Sequence, residues 1–310
     1  MRILVTGGAG FIGSHLVEAF HNAGHSVAVL DDFSGGKREN LADVPEVPVF
    51  EGSITDAQFV KETIAEFKPE IIDHHAAQVS VVRSVQDPQF DTQLNVLGLV
   101  NVLEAARSTD SIKKVIMISS AGTIYGDPEV VPCTEDFPKK PGSFYGLSKH
   151  VGELYVNMYA ELYGLQATVL RYTNVYGPRQ DPHGEAGVCA IFSLKMLNNE
   201  EPTIFGDGSQ IRDYVFIEDV VSANLAALEK GEGEAFNIST AKGTSTMEVF
   251  TTLKAATGFP GQPIMGPARS GELQRIIASN QKAKTLLGWE PNYSFTEGIA
   301  KTVAWYRSQE

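Results

Sequence analysis

Tyr145 and Lys149 stand four positions apart in the segment Ser143-Phe144-Tyr145-Gly146-Leu147-Ser148-Lys149. On a helix, residues i and i+4 share a face, so both side chains can point into one site. A phenol has an ordinary pKa of ~10 and is a poor base near neutrality, but a cationic ammonium one turn away favours the phenolate. Such a pair can take a proton from a hydroxyl while hydride leaves the carbon that bears it. Alone, this spacing is common on helix surfaces, and its meaning depends on what else the chain carries.

A second pattern supplies that context. Thr6-Gly7-Gly8-Ala9-Gly10-Phe11-Ile12-Gly13 reads G-x-x-G-x-x-G at Gly7, Gly10 and Gly13. It follows the short apolar run Ile3-Leu4-Val5 and opens the helix-period segment Ser14 to Asn22, the strand-turn-helix setting that a dinucleotide turn requires. Glycine is needed there because the backbone must turn tightly and approach a pyrophosphate closely, while the helix N-terminus supplies N–H donors and partial positive charge. The side chains of Phe11 and Ile12, within the turn, read as packing. Asp31 ends the next apolar run, 18 positions after Gly13. A carboxylate there hydrogen-bonds ribose hydroxyls and repels a 2′-phosphate, which favours NAD over NADP, with Asp32 as the alternative residue. Lys37 and Arg38 follow; they read as a solvated loop rather than as a 2′-phosphate site.

These residues need a scaffold. Strand-like runs at Ser26 to Asp31, Val47 to Phe50, Ile71-Ile72, Val115 to Ser119 and Ala167 to Tyr172 alternate with helix-period segments at Asp56 to Phe67, Phe90 to Ala106 and Tyr145 to Tyr163. Strand, helix, strand, repeated, predicts a parallel sheet covered on both faces. After Thr173 glycine and proline become frequent, with short helices expected at Thr246 to Ala256, Gln281 to Leu287 and Thr296 to Arg307. The expected division is a dinucleotide-binding domain over 1–172 and a smaller, loop-rich domain over 173–310, with about 213–239 returning to the first.

The chain has 310 residues, 43% of them hydrophobic, enough for a core of useful size. A formal net charge of -13 repels phosphate backbones, so no nucleic-acid partner is expected. The two cysteines, Cys133 and Cys189, form no CxxC pair, and the histidines show no HxxxH or HExxH spacing, so neither a disulfide framework nor a metal site is expected. The apolar run at Ile3 to Val5 is too short for a signal peptide, and no stretch approaches the ~20 apolar residues of a membrane span. A cytoplasmic protein without membrane attachment is the expectation.

The motifs taken together resemble the extended short-chain dehydrogenase/reductases, and within them the UDP-glucose 4-epimerase family. They are TGGAGFIGSHL, the acidic strand end at Asp31, HHAAQVSV, NVLG, ISSAGTIYGD, YGLSK, LRYTNVYGPRQ, TIFGDGSQIRDYVFIEDV and LLGWEP, in that order from Arg2 to about Tyr306. The resemblance implies an α/β fold, a Rossmann-type doubly wound parallel sheet with a smaller α/β substrate-binding domain, and an NAD-dependent UDP-hexose 4-epimerase. Tyr145 would be the catalytic base and acid, and Lys149 would hold the nicotinamide ribose. The cofactor would lie along Gly7, Gly10, Phe11, Ile12, Gly13, Asp31, Asp32, Ser34, Gly36, Lys37, Ser53, Ile54, Ala76, Ala77, Gln78, Asn95, Ser119, Tyr145, Lys149 and Tyr172. The UDP-sugar would meet Ser120, Asn174, Val188, Thr203, Phe205, Gln210, Arg212, Arg269 and Glu272. Arg212 and Arg269 would clamp the pyrophosphate, since a guanidinium fork is bidentate and always charged. Phe205 would line the uracil pocket or merely pack. C4 would be oxidised, the 4-keto sugar would swing over on its UDP tail, and hydride would return to the other face. The resemblance also implies a homodimer in which the helices at Phe90 to Ala106 and Tyr145 to Tyr163 form a four-helix bundle.

Four positions depart from the family pattern. Ala121 stands where a Ser or Thr usually orients the sugar, leaving Ser120 or Thr123 to substitute. Ser53 stands where an Asp commonly meets the adenine amino group. Ile276 replaces a bulky Tyr of some members, which would admit an N-acetyl group at C2 unless the side chain merely packs. Asp181 stands near where glucuronate epimerases have Arg, which argues against a uronic acid. The alternatives are a nucleotide-sugar reductase or dehydratase on the same scaffold, and a non-catalytic NAD-binding regulator. Gly122-Thr123 lacks the acidic pair of the dehydratases, and regulators often lose the Tyr or Lys kept here.

Overall fold

The computed structural model describes residues 1–183, 187–269 and 273–309. Seven parallel strands form its main sheet: β1 (Arg2–Thr6), β2 (Ser26–Asp31), β3 (Val49–Glu51), β4 (Ile71–His74), β5 (Lys114–Ser120), β6 (Ala167–Tyr172) and β7 (Glu234–Ile238). Their order is β7-β6-β5-β4-β1-β2-β3, so the winding direction reverses between β1 and β4. The inner strands are apolar on both faces because both faces are covered. Ile3, Val5, Val29, Ile71, Ile116 and Leu170 point to one side, against Leu16, Val17 and Phe20 of helix α1 (Phe11–Asn22). Leu4, Ala28, Leu30, Ile72, Val115, Met117 and Val169 point to the other, against α2 (Ala57–Phe67), α3 (Gly98–Arg107) and α4 (Phe144–Tyr163).

Helix starts follow local chemistry. The Asp56 carboxylate accepts from the amides of Gln58 and Phe59, and the Ser143 hydroxyl accepts from Gly146 at 3.1 Å, which sets the first turn of α4 two residues before Tyr145. Gly164 ends α4 in the left-handed conformation at φ +69°. The helix expected over Phe90 to Ala106 is interrupted. A π turn at Gln93–Leu97 separates Pro88–Thr92 from α3 and turns Asn95 into the protein.

Beyond Thr173 lie α5 (Val188–Leu197), α6 (Ile217–Ala227), α7 (Thr246–Thr257) and α8 (Phe295–Arg307). Helices α7 and α8 open with capping boxes, Ser245 with Glu248 and Ser294 with Glu297. Helix α6 packs on α1, and β7 lies beside β6, so the chain returns to the main sheet over this stretch. Small parallel pairs join 174–176 with 214–216 and 203–205 with 264–266, while 211–212 lies between 244–245 and 275–276. The core on the α1 face continues without a break into Cys189, Phe192, Val249, Phe250, Ile299 and Val303. The smaller lobe is thereby welded to the sheet along the edge where the C-terminal strand ends open.

Candidate active site

A cavity of about 850 Å³ opens at the C-terminal ends of the strands, over the point where the strand order reverses. That is where doubly wound folds bind ligands. Its floor is the glycine turn. Gly7 has φ +69°, and a Cβ there would lie 2.7 Å from the Ala76 amide nitrogen; a Cβ on Gly13 would lie 2.1 Å from the Gly7 carbonyl oxygen. Only glycine lets the turn, the helix and the Ala76-Ala77 segment meet so closely. Helix α1 starts at Phe11 with no side-chain cap at Gly10, so its first-turn amides face the cavity for an anion. The Thr6 hydroxyl ties the opposite wall, 2.8 Å from His74 Nδ1 and accepting from the Ala76 amide at 3.2 Å.

At one end of the cavity Asp31 accepts from the Ala9 amide through Oδ2 and from the Phe33 amide through Oδ1, both at 2.8 Å. Burial raises its carboxyl above the usual range, although those two amides oppose the shift. Asp32 instead caps its own loop, accepting from the Ser34 amide at 3.0 Å and from the Ser34 hydroxyl at 2.5 Å. At the other end Tyr145 and Lys149 line the wall, with the Lys149 ammonium 5.9 Å from the Tyr145 ring centroid and donating to the Ile118 carbonyl at 3.2 Å. Burial pushes the phenol up to about 12 and pulls the ammonium down to about 8. The lowering of Tyr145 expected from Lys149 is thus overridden by desolvation in the protein by itself.

Ser120 lines the cavity with Tyr145 and its hydroxyl counters the rise that burial imposes on that phenol, whereas Ala121 is fully buried in the cluster of Ile124 and Tyr125. Ser119 Oγ and Thr123 Oγ1 are buried, line the cavity and have no hydrogen-bond partner in the protein. Polar atoms of this kind suit a bound polyhydroxylated ligand. The glycine cradle, the uncapped helix and Asp31 fit the pyrophosphate and adenosine ribose of NAD, and Lys149 with Tyr145 fits its nicotinamide end.

Of the residues singled out by sequence, Gly7, Gly10, Phe11, Ile12, Gly13, Asp31, Asp32, Ser34, Gly36, Ile54, Ala76, Ala77, Ser119, Ser120, Thr123, Tyr145, Lys149, Tyr172, Asn174 and Arg212 line this one cavity. Others do not reach its wall. Ser53 bonds Thr55 locally. Gln78 and Asn95 form a buried network behind the wall: the Gln78 amide donates to Asn95 Oδ1 at 2.8 Å, and both side chains donate to Asp91 Oδ1, at 2.8 and 3.1 Å. They brace the site rather than line it. Val188 packs on the core, though Gly187 before it lines the cavity. Thr203, Phe205, Gln210 and Arg269 gather beside the cavity instead. Gln210 donates to the Phe205 carbonyl at 2.9 Å, and the Arg269 guanidinium lies 3.9 Å over the Phe205 ring. Arg269 is therefore occupied by an aromatic face here, separate from Arg212. Lys37 stands at the rim, paired with Asp181 at 3.2 Å. Glu272 lies outside the described residues. Ile276 is 1% exposed in the cluster around Ala121 and does not line the cavity, so packing accounts for it.

Sequence reasoning missed His75, Gln180 and His183 as wall residues, and it read Asp181 only against a uronate. It also missed the buried acids behind the wall. Asp73 is fully buried, and His75 Nε2 lies 2.9 Å from its Oδ1, off the hydrogen-bonding direction. The adjacent pair His74-His75 in an otherwise apolar strand end was the available signal. His74 has a testable consequence. It is fully buried, and desolvation, followed by the charges of Lys149 and His75, lowers it from 6.5 to about 3. The unfolded chain therefore binds a proton between those values that the folded chain does not. This contribution to stability is complete above pH 6.5 and is lost on acidification, by about 1.4 kcal/mol per pH unit. Thermal melts at pH 7, 6 and 5 are expected to show a falling midpoint, and His74→Asn should flatten that slope; equal slopes would mean His74 is not the group responsible.

Comparison with known proteins places the whole chain among relatives. The model of the NAD dependent epimerase/dehydratase family matches residues 3–239. A UDP-glucose 4-epimerase of Mycolicibacterium smegmatis is 49% identical over 100% of this chain and 99% of its own length. The crystal structure of a UDP-glucose 4-epimerase with UDP-glucose from Thermotoga maritima is 46% identical, with a TM-score of 0.97 over 100% of this chain and 99% of that one. A Thermus thermophilus UDP-glucose 4-epimerase in complex with NAD is 43% identical, with a TM-score of 0.94 over the whole of both chains.

Proposed function

The chain belongs to the NAD-dependent epimerase/dehydratase family, and we propose that within it the protein interconverts UDP-galactose and UDP-glucose at C4. The observation that carries this reading is the placement of Tyr145, Lys149 and Ser120 on the same cavity as the glycine turn and Asp31, at opposite ends. NAD, when bound, supplies the acceptor and then the donor of the C4 hydride. Tyr145 takes the C4 hydroxyl proton at its phenol oxygen and returns it to the same atom after the sugar has turned. Ser120, on the same wall, counters the rise that burial imposes on that phenol. Lys149 brings positive charge near the ring, although burial lowers its ammonium to about 8. Arg212 anchors the substrate pyrophosphate, and Asn174 lies beside it. Holding the UDP firmly and the hexose loosely is what inversion at C4 demands.

The direct test is conversion of UDP-galactose to UDP-glucose by purified protein without added reductant, beside UDP-N-acetylgalactosamine. Interconversion with no net NADH supports the epimerase. Release of stoichiometric NADH, or no conversion, favours the reductase reading. With Ile276 packed away from the cavity, that position gives no room for an N-acetyl group, and the unsubstituted hexose should turn over faster.

The protein is proposed to be a cytoplasmic homodimer, without nucleic-acid or membrane partners. Among the described residues no helix is long and apolar enough to cross a membrane. The face of α4 carries Leu147, Leu154, Met158 and Leu162, with Leu162 64% exposed, and Leu97 on the neighbouring π turn is 55% exposed. Spacings of seven and four make one apolar stripe, suited to antiparallel packing against its own copy. Leu154→Glu is expected to shift the sedimentation coefficient from dimer to monomer; an unchanged coefficient would move the interface elsewhere.

A further inference from the structure

The loop that follows Gly36 at the Asp31 end of the cavity carries two cations just outside the lining, and both are already engaged by carboxylates. Lys37 Nζ lies 3.2 Å from Asp181 Oδ2. Arg38 pairs with Glu51 and lies 4.3 Å over the Phe33 ring. The loop that carries them is fastened to the glycine turn, with the Lys37 amide donating to the Ala9 carbonyl at 3.0 Å and Asn40 Nδ2 to the same oxygen at 2.9 Å. Ala9 in turn donates to Asp31. Gly36, just before Lys37, approaches Asp31 so closely that a Cβ would lie 3.0 Å from Asp31 Oδ1. Lys37 therefore starts within reach of whatever Asp31 holds.

Asp181 comes from far along the chain, and its position is not left to a floating side chain. Its own loop is pinned across the cavity mouth. Arg179 pairs with Glu18 at 2.7 Å and Asp43 at 3.0 Å, and the Pro178 carbonyl lies 3.0 Å from His15 Nε2. Asp181 Oδ1 accepts from the His183 amide at 2.9 Å, which leaves Oδ2 turned to Lys37. Asp181 lines the same cavity as Asp31, Asp32 and Ser34. With Glu51, four carboxylates surround two cations here.

We propose that Asp181 is a specificity-determining residue for the cofactor: by holding Lys37 it keeps that ammonium from a 2′-phosphate, so NADP is refused at a point that Asp31 alone does not guard. Without Asp181, Lys37 would be a point charge beside the ribose, and point charges of this kind bind phosphate well. The proposal rests on the reading of this cavity as a dinucleotide site.

The test measures binding, not turnover. Purified protein is incubated with equal, excess NAD and NADP until labelled NAD has fully exchanged, then freed of unbound dinucleotide; the bound pair is released and quantified. Asp181→Asn is expected to raise the bound NADP-to-NAD ratio by about fivefold at low salt, the size of one unit charge gained a few ångströms away through water. The gain should shrink above roughly 0.3 M salt, where screening is short-ranged, and vanish in Lys37→Ala/Asp181→Asn. A ratio within about twofold of the parent, or a gain that survives in the double variant, overturns the role given to Asp181. A parent protein that binds neither dinucleotide overturns the cofactor reading, and this proposal with it. Both side chains are about half exposed, so the variants should fold, and a melt of each confirms it.

Discussion

Tyr145→Phe is expected to lower UDP-galactose turnover by roughly 10²–10⁴-fold while leaving bound NAD unchanged. The reason lies in how the site divides its work. The residues that fit the pyrophosphate and adenosine ribose are the glycine turn, the start of α1 and Asp31, at the end of the cavity opposite the phenol oxygen. Removing that oxygen leaves the ring, and so the shape of the wall, in place. It removes the atom proposed to carry the proton. The size of the loss also reflects how far the phenol must be brought: burial sets it at about 12, so at neutral pH it is a phenol until opposite charge reaches it. Lys149 and the charge of the oxidised cofactor are the available sources. Turnover of the parent should therefore rise with pH through the neutral range, and a kcat profile measures that rise. Turnover within about threefold of the parent in the Phe variant would remove Tyr145 from the mechanism.

Glu153→Ala is expected to be the most damaging single change to stability outside the glycine turn. Arg171 lies on β6, 5% exposed, and Glu153 on α4 is 3% exposed. They pair side by side, with Nε to Oε1 at 2.9 Å and Nη2 to Oε2 at 2.8 Å, while Arg171 Nη1 donates to the Tyr125 hydroxyl at 3.1 Å and the Glu135 carbonyl at 3.0 Å. Deleting the carboxylate strands a buried guanidinium, which costs about 3–5 kcal/mol. For a chain of this size that is a fall in Tm of roughly 5–8 °C. Glu153→Gln keeps one acceptor and should lose less. A fall below about 2 °C in the Ala variant would show that water reaches Arg171 and replaces the partner. The same pair bears on the site, because α4 carries Tyr145 and β6 ends in Tyr172.

Much of the site is legible without coordinates because its parts are local. A three-glycine turn after a strand, an acid at the next strand end, and a Tyr and Lys one helical turn apart each depend on backbone geometry that spans a few residues. The parallel sheet is legible for a related reason, since strands covered on both faces appear as unbroken apolar runs. Other elements were illegible for want of a pattern. Helix α5, Val-Cys-Ala-Ile-Phe-Ser-Leu-Lys-Met-Leu, is apolar nearly all round and shows no helical period. The π turn at Gln93–Leu97 follows from where Asn95 finds its partners, not from its own residues.

The residues by themselves thus determined the class of chemistry and the cofactor, and they marked out the pair proposed to handle the proton. What only the tertiary structure decided is how each charge is answered: Lys37 by Asp181, Arg171 by Glu153 and Arg269 by the Phe205 ring. These pairings join segments distant in sequence. Electrostatic attraction acts through space and burial, and neither is written in the spacing of residues along a chain.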